Sequence, residues 1–488
     1  MTPAAAPRER GELALVLHTH MPYVEGFGTW PFGEEWLWEA LTGVYLPLLD
    51  VLAGAPVTLS LTPVLCDQLE ALEGDAGERY LRFLDEVRTP IHDEDARGLE
   101  EGGGLAEARE VRRAAADYRN GGRRLRELRG RVVGAFRELE RLAPVELWTS
   151  AATHSVLPLL ATDAGLGLQV STGVRAHERR FGGWGGGFWL PECAYREGLE
   201  RDLAAHGVRA FCVDQTESLG LGSLDHLEPV ATEAGPVAVP IDWELVALVW
   251  EPNGYPAHGC YRNYHGRTTH DLRPWNNDGG PYEHWRALVL ARRHAREFVA
   301  HAARRLDAYR EERGRPGLLC CALDTELLGH WWYEGMHWLA FVLDEARLQG
   351  VPLATLPDAL GRIEAVERPL APASWGKPKD LTTWDSPQVA DIAFAARRGE
   401  LETVAAAAAH DRGPALERAV RELLALQSSD WAFQVTHDLA SDYPRRRVES
   451  HSRELDAALA ALKDSSAPPD PAVRNLAPEV DLAPLFAT

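Results

Sequence analysis

Near its start the chain reads Leu13-Ala14-Leu15-Val16-Leu17-His18-Thr19-His20, five apolar residues that give way at once to polar ones. Short apolar runs of this kind recur along the 488 residues and alternate with longer amphipathic segments. The others are Val57–Leu61, Val145–Trp148, Gln169–Ser171, Gly187–Leu190, Ala210–Val213, Val237–Pro240 and Leu318–Leu323. Because buried strands that alternate with helices form parallel sheets, this pattern predicts an α/β fold with a parallel sheet or barrel and helices outside it.

Several of the predicted strands end directly in polar side chains. The first ends in His18-Thr19-His20, and later ones end in Glu192, Asp214 and Asp324. In parallel α/β folds the carboxyl ends of the strands open onto the loops that build the active site. We therefore expect these residues to lie together on one face of the sheet.

The alternation of strand and helix breaks down in two places. Between about residues 75 and 143 the sequence is helical and rich in Arg and Glu, and from about residue 385 only helical spacing is found. We expect a catalytic domain over residues 8–375 that includes the helical insertion, and a helical C-terminal domain over residues 376–464. Residues 465–488 are rich in Pro, Ala, Asp and Ser without helical periodicity, which predicts a mobile tail.

Composition excludes several classes of partner. The chain carries 51 Lys and Arg against 73 Asp and Glu, a net charge of −22 that repels both nucleic acid and anionic membranes. The apolar run Leu13–Leu17 is too short for a signal sequence or a membrane span, so we expect a cytoplasmic protein. Six cysteines without a CxxC pair argue against structural zinc and disulfides. Nothing in the sequence specifies an oligomeric state.

Two carboxylates stand out because each follows an apolar strand and lies among aromatic residues. Glu192 lies in Trp189-Leu190-Pro191-Glu192-Cys193-Ala194-Tyr195, and Asp324 precedes Trp331-Trp332. Glycosidic bond chemistry needs one carboxylate as nucleophile or base and one as proton donor, and sugars stack on tryptophan. Either acid alone could instead cap a helix or pair with an arginine. Glu326 and Glu334 lie close to Asp324 and are secondary candidates.

Three histidines also fall at predicted strand ends, His18 and His20 on the first strand and His154 after another. Histidines in such positions can bind a metal, bond to sugar hydroxyls or orient a catalytic carboxylate. One H-x-H pair with a distant third histidine is a weak zinc signal, so we expect no metal and no cofactor.

Five segments together resemble, in order, the motifs of glycoside hydrolase family 57, and most of all its 1,4-α-glucan branching enzymes. They are His18–Tyr23, Ala152–Leu160, Trp189–Tyr195, Leu323–Gly335 and Ser428–Phe433. The resemblance implies a (β/α)7 barrel with a helical insertion and a helical C-terminal domain. It also implies retaining action on α-glucans.

The resemblance further implies roles for individual residues. The nucleophile falls on Glu192 and the general acid/base on Asp324. Candidate substrate-binding residues are His18, His20, His154, Trp30, Tyr255, Trp275, Trp375, Trp384 and Asp430, with Trp375 and Trp384 bordering the acceptor cleft. Tyr255 belongs to Trp250–Arg262, which resembles a long loop that lies over the active site of branching members. In this loop Ala257-His258 replaces a common Gly-Asp pair.

We therefore expect a 1,4-α-glucan branching enzyme that works by double displacement on amylose-like or glycogen-like substrates. An α-amylase or a 4-α-glucanotransferase would use the same site with another acceptor. A metal-dependent deacetylase or mannosidase-type hydrolase would hold an ion with the histidines and would lose activity on chelation. A non-catalytic glucan-binding protein would keep the tryptophans without turnover. No pattern in the sequence indicates the physiological glucan, the branch length or the ratio of transfer to hydrolysis.

Overall fold

The computed structural model of the protein describes residues 10–464, 466 and 475–487. Its framework is one sheet in the order β8-β1-β2-β3-β4-β5-β7-β6-β9. The strands are β1 Gly11–Thr19, β2 Val57–Leu61, β3 Val145–Ser150, β4 Gly187–Trp189, β5 Ala210–Val213, β6 Val230–Ala231, β7 Val237–Pro240, β8 Gly317–Asp324 and β9 Val366–Glu367. The seven strands from β8 to β7 in this order pair in parallel, whereas β6 is antiparallel to β7.

The seven parallel strands curl so that the two ends of the row meet. Just after β7, the backbone N–H of Asp242 donates to the carbonyl of Cys320 in β8 at 2.9 Å. All nine residues of β1 are buried, as expected for a strand covered on both faces. This burial explains why the strands read as continuous apolar runs, and the predicted (β/α)7 architecture is confirmed.

Helices connect the strands and cover the sheet. They span Glu34–Ala40, Leu46–Val51, Pro63–Ala71, Asp163–Phe181, Leu199–Ala205, Thr216–Leu219, Trp243–Trp250, His284–Arg313, Gly335–Gln349 and Leu356–Leu360. The strand predicted at Gln169–Ser171 is wrong, because these residues lie within the helix Asp163–Phe181. The Thr162 hydroxyl caps that helix by accepting the N–H of Gly165. A short run inside a mostly buried helix has no period that distinguishes it from a strand.

The helical insertion lies between β2 and β3 and has the predicted extent. Its helices are Asp75–Phe83, Thr89–Glu101, Leu105–Leu128 and Val132–Leu142. The last two form one continuous Arg/Glu-rich stretch in the sequence. They are separated because Arg129 and Gly130 adopt left-handed backbone angles, with φ of 53° and 74°. Such angles end an α-helix.

The C-terminal region is helical, and its helices enclose a second apolar core. They are Ala390–Ala409, Pro414–Leu426, Ser429–Thr436 and Tyr443–Lys463. The domain boundary at residue 375 stays a prediction. No helix among the residues described above is long and apolar enough to cross a lipid bilayer.

The predicted mobile tail does not hold for residues 475–487. The N–H of Ala477 donates to the buried Asp67 carboxylate at 2.7 Å, and Leu485 is buried against the C-terminal core. Apolar and backbone groups of this segment find partners that its composition did not reveal. Residues 465, 467–474 and 488, which also belong to the predicted tail, lie outside the described residues.

Candidate active site

The ends of β1 and β8 bring the first two candidate residues together. His18 and Asp324 are register partners on these neighbouring parallel strands. The hydroxyl of Thr325 donates to the carbonyl of His18 at 3.0 Å and lies 2.7 Å from the hydroxyl of Thr19. These contacts fix the carboxyl end of β8, and with it Asp324, against the end of β1.

Glu192 reaches the same face through a strained turn after β4. Glu192 and Cys193 both have left-handed backbone angles, with φ of 60° and 48°. Such angles cost of order 1–3 kcal/mol for residues other than glycine and cluster at functional sites. The turn is held because the carbonyl of Glu192 accepts the N–H of Trp375 at 2.9 Å, and the N–H of Cys193 donates to Leu190 at 2.8 Å.

Both carboxylate oxygens of Glu192 receive hydrogen bonds. The Ser429 hydroxyl donates to Oε1 at 2.8 Å, and the indole N–H of Trp375 donates to Oε2 at 3.1 Å. Burial raises the pKa of the Glu192 carboxyl to about 6, although the two donors act in the opposite direction. Glu192 is therefore ionised at neutral pH and held in one orientation, as a nucleophile requires.

For Asp324, neighbouring negative charges act on the pKa in the same direction as burial. Burial, together with the negative charges of Glu326 and Glu192, raises its pKa well above the ordinary range. The charge of Glu192 therefore acts directly on Asp324. A pair of carboxyl groups whose pKa values are pushed apart in this way can supply one anion and one proton donor.

The three candidate histidines form a stacked group beside the carboxylates. The ring of His18 stacks on Trp189 at 4.5 Å between centroids, and the rings of His20 and His154 stack at 4.0 Å. Burial lowers the pKa of both His18 and His154 well below the ordinary value, so both rings are neutral. Their side chains lie within the body of the molecule rather than on an open cleft.

His20 differs because it pairs with Asp430 at the start of a C-terminal helix. Nε2 of His20 lies 2.9 Å from Oδ2 of Asp430, and Nδ1 lies 3.1 Å from the Thr62 hydroxyl. Burial disfavours a charged ring, but the Asp430 carboxylate outweighs it and raises the pKa of His20. Burial likewise opposes ionisation of Asp430, yet His20 brings the pKa of that carboxyl down to about 2. The two form an ion pair.

One set of potential metal ligands falls within the described residues of this site. His20, His154 and Asp430 each offer an atom, and these atoms lie within 4.8 Å of one another. His20 and Asp430 are already bonded to each other, and Nδ1 of His154 lies 2.9 Å from the Ser429 hydroxyl. A metal would have to break these contacts, so the donor set is better matched to hydrogen bonding.

Two site residues were missed or ranked low in the sequence. Ser429 lies next to Asp430 in a quoted motif, but nothing in the motif signals a bond to Glu192. Glu326 accepts the hydroxyl of Tyr45 at 2.8 Å and the backbone N–H of His20 at 3.1 Å. Burial raises the pKa of Glu326 to about 7. Both of these bonds orient Glu326, and its charge acts on Asp324.

The predicted aromatic residues lie in different surroundings. Trp375 reaches the site, since it bonds Glu192 and packs on Trp189 at 5.0 Å between centroids. Trp384 is 3% exposed and packs in the C-terminal core, and its assignment to the acceptor cleft stays a prediction. Tyr255 stacks on His294 at 4.3 Å between centroids.

The remaining two tryptophans lie on loops. Trp30 is 68% exposed in the segment between β1 and the first helix, so a ring face is available to a ligand. Trp275 is half-buried in the segment before the helix His284–Arg313, where its carbonyl accepts the N–H of Asn263. Their assignment to substrate binding stays a prediction.

A curled parallel sheet with two electrostatically coupled carboxyl groups at its carboxyl edge and an indole beside them defines a glycan-acting enzyme. Comparison with known proteins agrees with this class. The profile of glycosyl hydrolase family 57 matches residues 14–249, and that of the C-terminal domain of 1,4-α-glucan branching enzymes matches residues 395–480. The chain belongs to glycosyl hydrolase family 57.

Individual relatives extend the comparison to most of the chain. A protein of Mycobacterium tuberculosis described as a probable 1,4-α-glucan branching enzyme is 34% identical, with 94% of each chain covered. A 1,4-α-glucan branching enzyme of Thermococcus kodakarensis is 32% identical over 91% of this chain and 73% of its own. The crystal structure of a branching enzyme of this family from Pyrococcus horikoshii superposes with a TM-score of 0.89 at 28% identity, covering 98% of this chain and 97% of that one.

Proposed function

We propose that the protein is a 1,4-α-glucan branching enzyme in which Glu192 is the nucleophile and Asp324 the general acid/base. The observation that carries the site assignment is the pair itself. Glu192 is held by Ser429 and Trp375 and has a pKa of about 6, whereas burial and the charges of Glu326 and Glu192 raise the pKa of Asp324 and favour its protonated form. The relatives named above support the choice of substrate and of transfer.

The reaction proceeds in two displacements. In the first, a Glu192 carboxylate oxygen bonds to the anomeric carbon of an α-1,4-linked glucan while the glycosidic C–O bond breaks, and Asp324 protonates the departing oxygen. The ester removes the charge of Glu192, so the pKa of Asp324 falls and its carboxylate becomes a base. In the second, Asp324 takes the proton of an acceptor 6-hydroxyl, whose oxygen forms the α-1,6 bond and releases Glu192.

Transfer must outpace hydrolysis by water at roughly 55 M. Effective molarities of oriented groups reach about 10⁵–10⁸ M, so positioning of the acceptor is sufficient. Trp375 is placed for this task, because it bonds the nucleophile and is only partly buried. The segment after Trp375 contacts the loop Trp250–Arg262, since Lys377 bonds the Glu251 carboxylate at 3.1 Å.

Product analysis on amylose tests the proposed function. We expect new α-1,6 linkages, seen as short chains released by a debranching enzyme, with little gain in reducing ends. A rise in reducing ends without α-1,6 linkages would identify an amylase, and a changed chain-length distribution without them would identify a 4-α-glucanotransferase. Either result would contradict the proposal. The Glu192→Gln variant is the blank, because it carries the same surface without the nucleophile.

The pH dependence follows from the two carboxyl groups. Activity requires ionised Glu192, whose pKa is about 6. The value of kcat/KM should therefore reach its plateau above about pH 6 and fall about tenfold per pH unit below it. Loss at high pH should report deprotonation of Asp324. A pH–rate profile on a soluble maltooligosaccharide measures both limbs. Full activity maintained at pH 4 would contradict the assignment of Glu192.

We also propose a cytoplasmic location and a role in building a branched storage glucan such as glycogen. All six cysteines are free, and all but Cys260 are buried. Free thiols of this kind are typical of reducing compartments. The net charge of −22 disfavours binding to nucleic acid or to an anionic membrane.

A further inference from the structure

Both ring nitrogens of His18 and of His154 are already occupied by protein atoms. Nε2 of His18 lies 2.9 Å from Nε2 of His154, and Nδ1 of His18 lies 3.3 Å from the hydroxyl of Ser60. Nδ1 of His154 lies 2.9 Å from the hydroxyl of Ser429. His18 is 1% exposed and His154 is 3% exposed. Neither ring therefore has a nitrogen left for a sugar hydroxyl.

These contacts form an unbranched chain that ends on the nucleophile. It runs from Ser60 through His18, His154 and Ser429 to Oε1 of Glu192, where the last bond is 2.8 Å. Four different parts of the fold contribute. Ser60 and His18 are register partners on β2 and β1, His154 follows β3, and Ser429 begins a C-terminal helix.

Among the arrangements with both rings neutral, only one satisfies every bond in this chain. An ionised carboxylate only accepts, so the Ser429 hydroxyl must donate its single proton to Glu192. The Ser429 oxygen then accepts from Nδ1–H of His154, which leaves Nε2 of neutral His154 bare. That nitrogen accepts from Nε2–H of His18, and bare Nδ1 of His18 accepts from the Ser60 hydroxyl. Both rings are neutral because burial lowers the pKa of each, and two charged rings would place two N–H groups against each other at 2.9 Å.

We propose that Ser60, His18, His154 and Ser429 form a directional hydrogen-bond relay that orients the Glu192 carboxylate, so that His18 and His154 are positioning residues rather than sugar ligands. The relay aims the Ser429 proton at Oε1 and thereby fixes the carboxylate plane before substrate arrives. The inference rests on the proposed function only in taking Glu192 as the nucleophile.

The proton arrangement can be measured without any assay of activity. Selective ¹⁵N labelling of histidine should show His154 as the neutral Nδ1–H tautomer and His18 as the neutral Nε2–H tautomer near pH 7.5, with signals assigned from the His18→Gln and His154→Asn variants. His154 as the Nε2–H tautomer, or either ring in its charged form, would overturn the relay. This result does not depend on which product the enzyme makes.

Kinetics separate positioning from sugar binding. His154→Leu removes the donor to Ser429 and should lower kcat about 10²-fold, because small misplacements of reacting groups cost factors of this size, with KM within about twofold. His154→Asn keeps an N–H close to the position of Nδ1 and should recover about tenfold of this loss. A large rise in KM at unchanged kcat, with no rescue by Asn, would show that His154 binds the sugar instead.

Two further measurements guard against a folding defect. The smaller change Ser429→Ala removes the last link and should also lower kcat with little effect on KM. Binding of maltoheptaose, measured by calorimetry in the Glu192→Gln background, should be unchanged within about twofold when His154→Leu is added. Binding weakened more than tenfold by that addition would contradict the proposal even if the kinetics agreed.

Discussion

Replacement of Glu192 with Gln is expected to lower kcat on amylose by about 10⁴-fold or more, because a neutral amide cannot form the glycosyl ester and loss of a catalytic nucleophile has effects of this order. Glucan binding should persist, since Gln has nearly the shape of Glu. Turnover is measured by debranching analysis, and binding is measured by calorimetry with maltoheptaose.

The matched control for this variant is Glu197→Gln. It makes the same chemical change on an exposed residue just after the turn that contains Glu192. Activity of this control should equal that of the unmodified protein. If Glu192→Gln kept more than about one-tenth of the activity, another residue would have to be the nucleophile, and the proposed mechanism would be wrong.

Replacement of Asp324 with Asn should lower kcat by about 10²–10⁴-fold, the usual contribution of general acid–base catalysis. The defect should depend on the leaving group. The fluoride ion of an α-maltosyl fluoride departs without protonation, so the first displacement should be largely restored with this substrate. The second displacement would still lack its base, and the glycosyl ester on Glu192 should accumulate and be visible by mass spectrometry of the intact protein.

The variant Glu326→Gln tests Glu326, one of the two secondary candidates for the acid near the end of this strand. Its negative charge raises the pKa of Asp324, so its removal should lower that pKa. The alkaline limb of the pH profile should then move to lower pH, while activity near neutrality changes far less than in Asp324→Asn. A loss in Glu326→Gln equal to that in Asp324→Asn, with the first displacement restored by maltosyl fluoride in Glu326→Gln but not in Asp324→Asn, would assign the acid to Glu326.

The sequence was informative where function depends on strand order. Parallel strands carry their carboxyl ends to one edge, so Glu192 and Asp324 could be expected at a common site from two apolar runs that end in acid. The same argument placed His18 on the same face as Asp324, and the structure adds that β1 and β8 are neighbours with these two residues in register. Continuous apolar runs were enough to predict these strands, because the strands are buried on both faces.

The parts that were missed depend on long-range packing. Ser429 is 237 residues from Glu192 along the chain, and their bond exists only because the C-terminal helices dock on the sheet. Trp384 was assigned to the acceptor cleft from the family resemblance, and the resemblance did not reveal that its indole is buried in the C-terminal core. The run Gln169–Ser171 was too short to distinguish a strand from a turn of buried helix.

The contribution of the C-terminal helices has a consequence for synthesis of the protein. Among the described residues every strand of the sheet precedes residue 368, whereas Ser429 and Asp430 follow the last strand and are translated later. On the ribosome, the strands and both carboxyl groups are therefore synthesised before the hydroxyl that orients the nucleophile. The orientation of Glu192 by Ser429 can therefore form only after the strands and both carboxyl groups have been made.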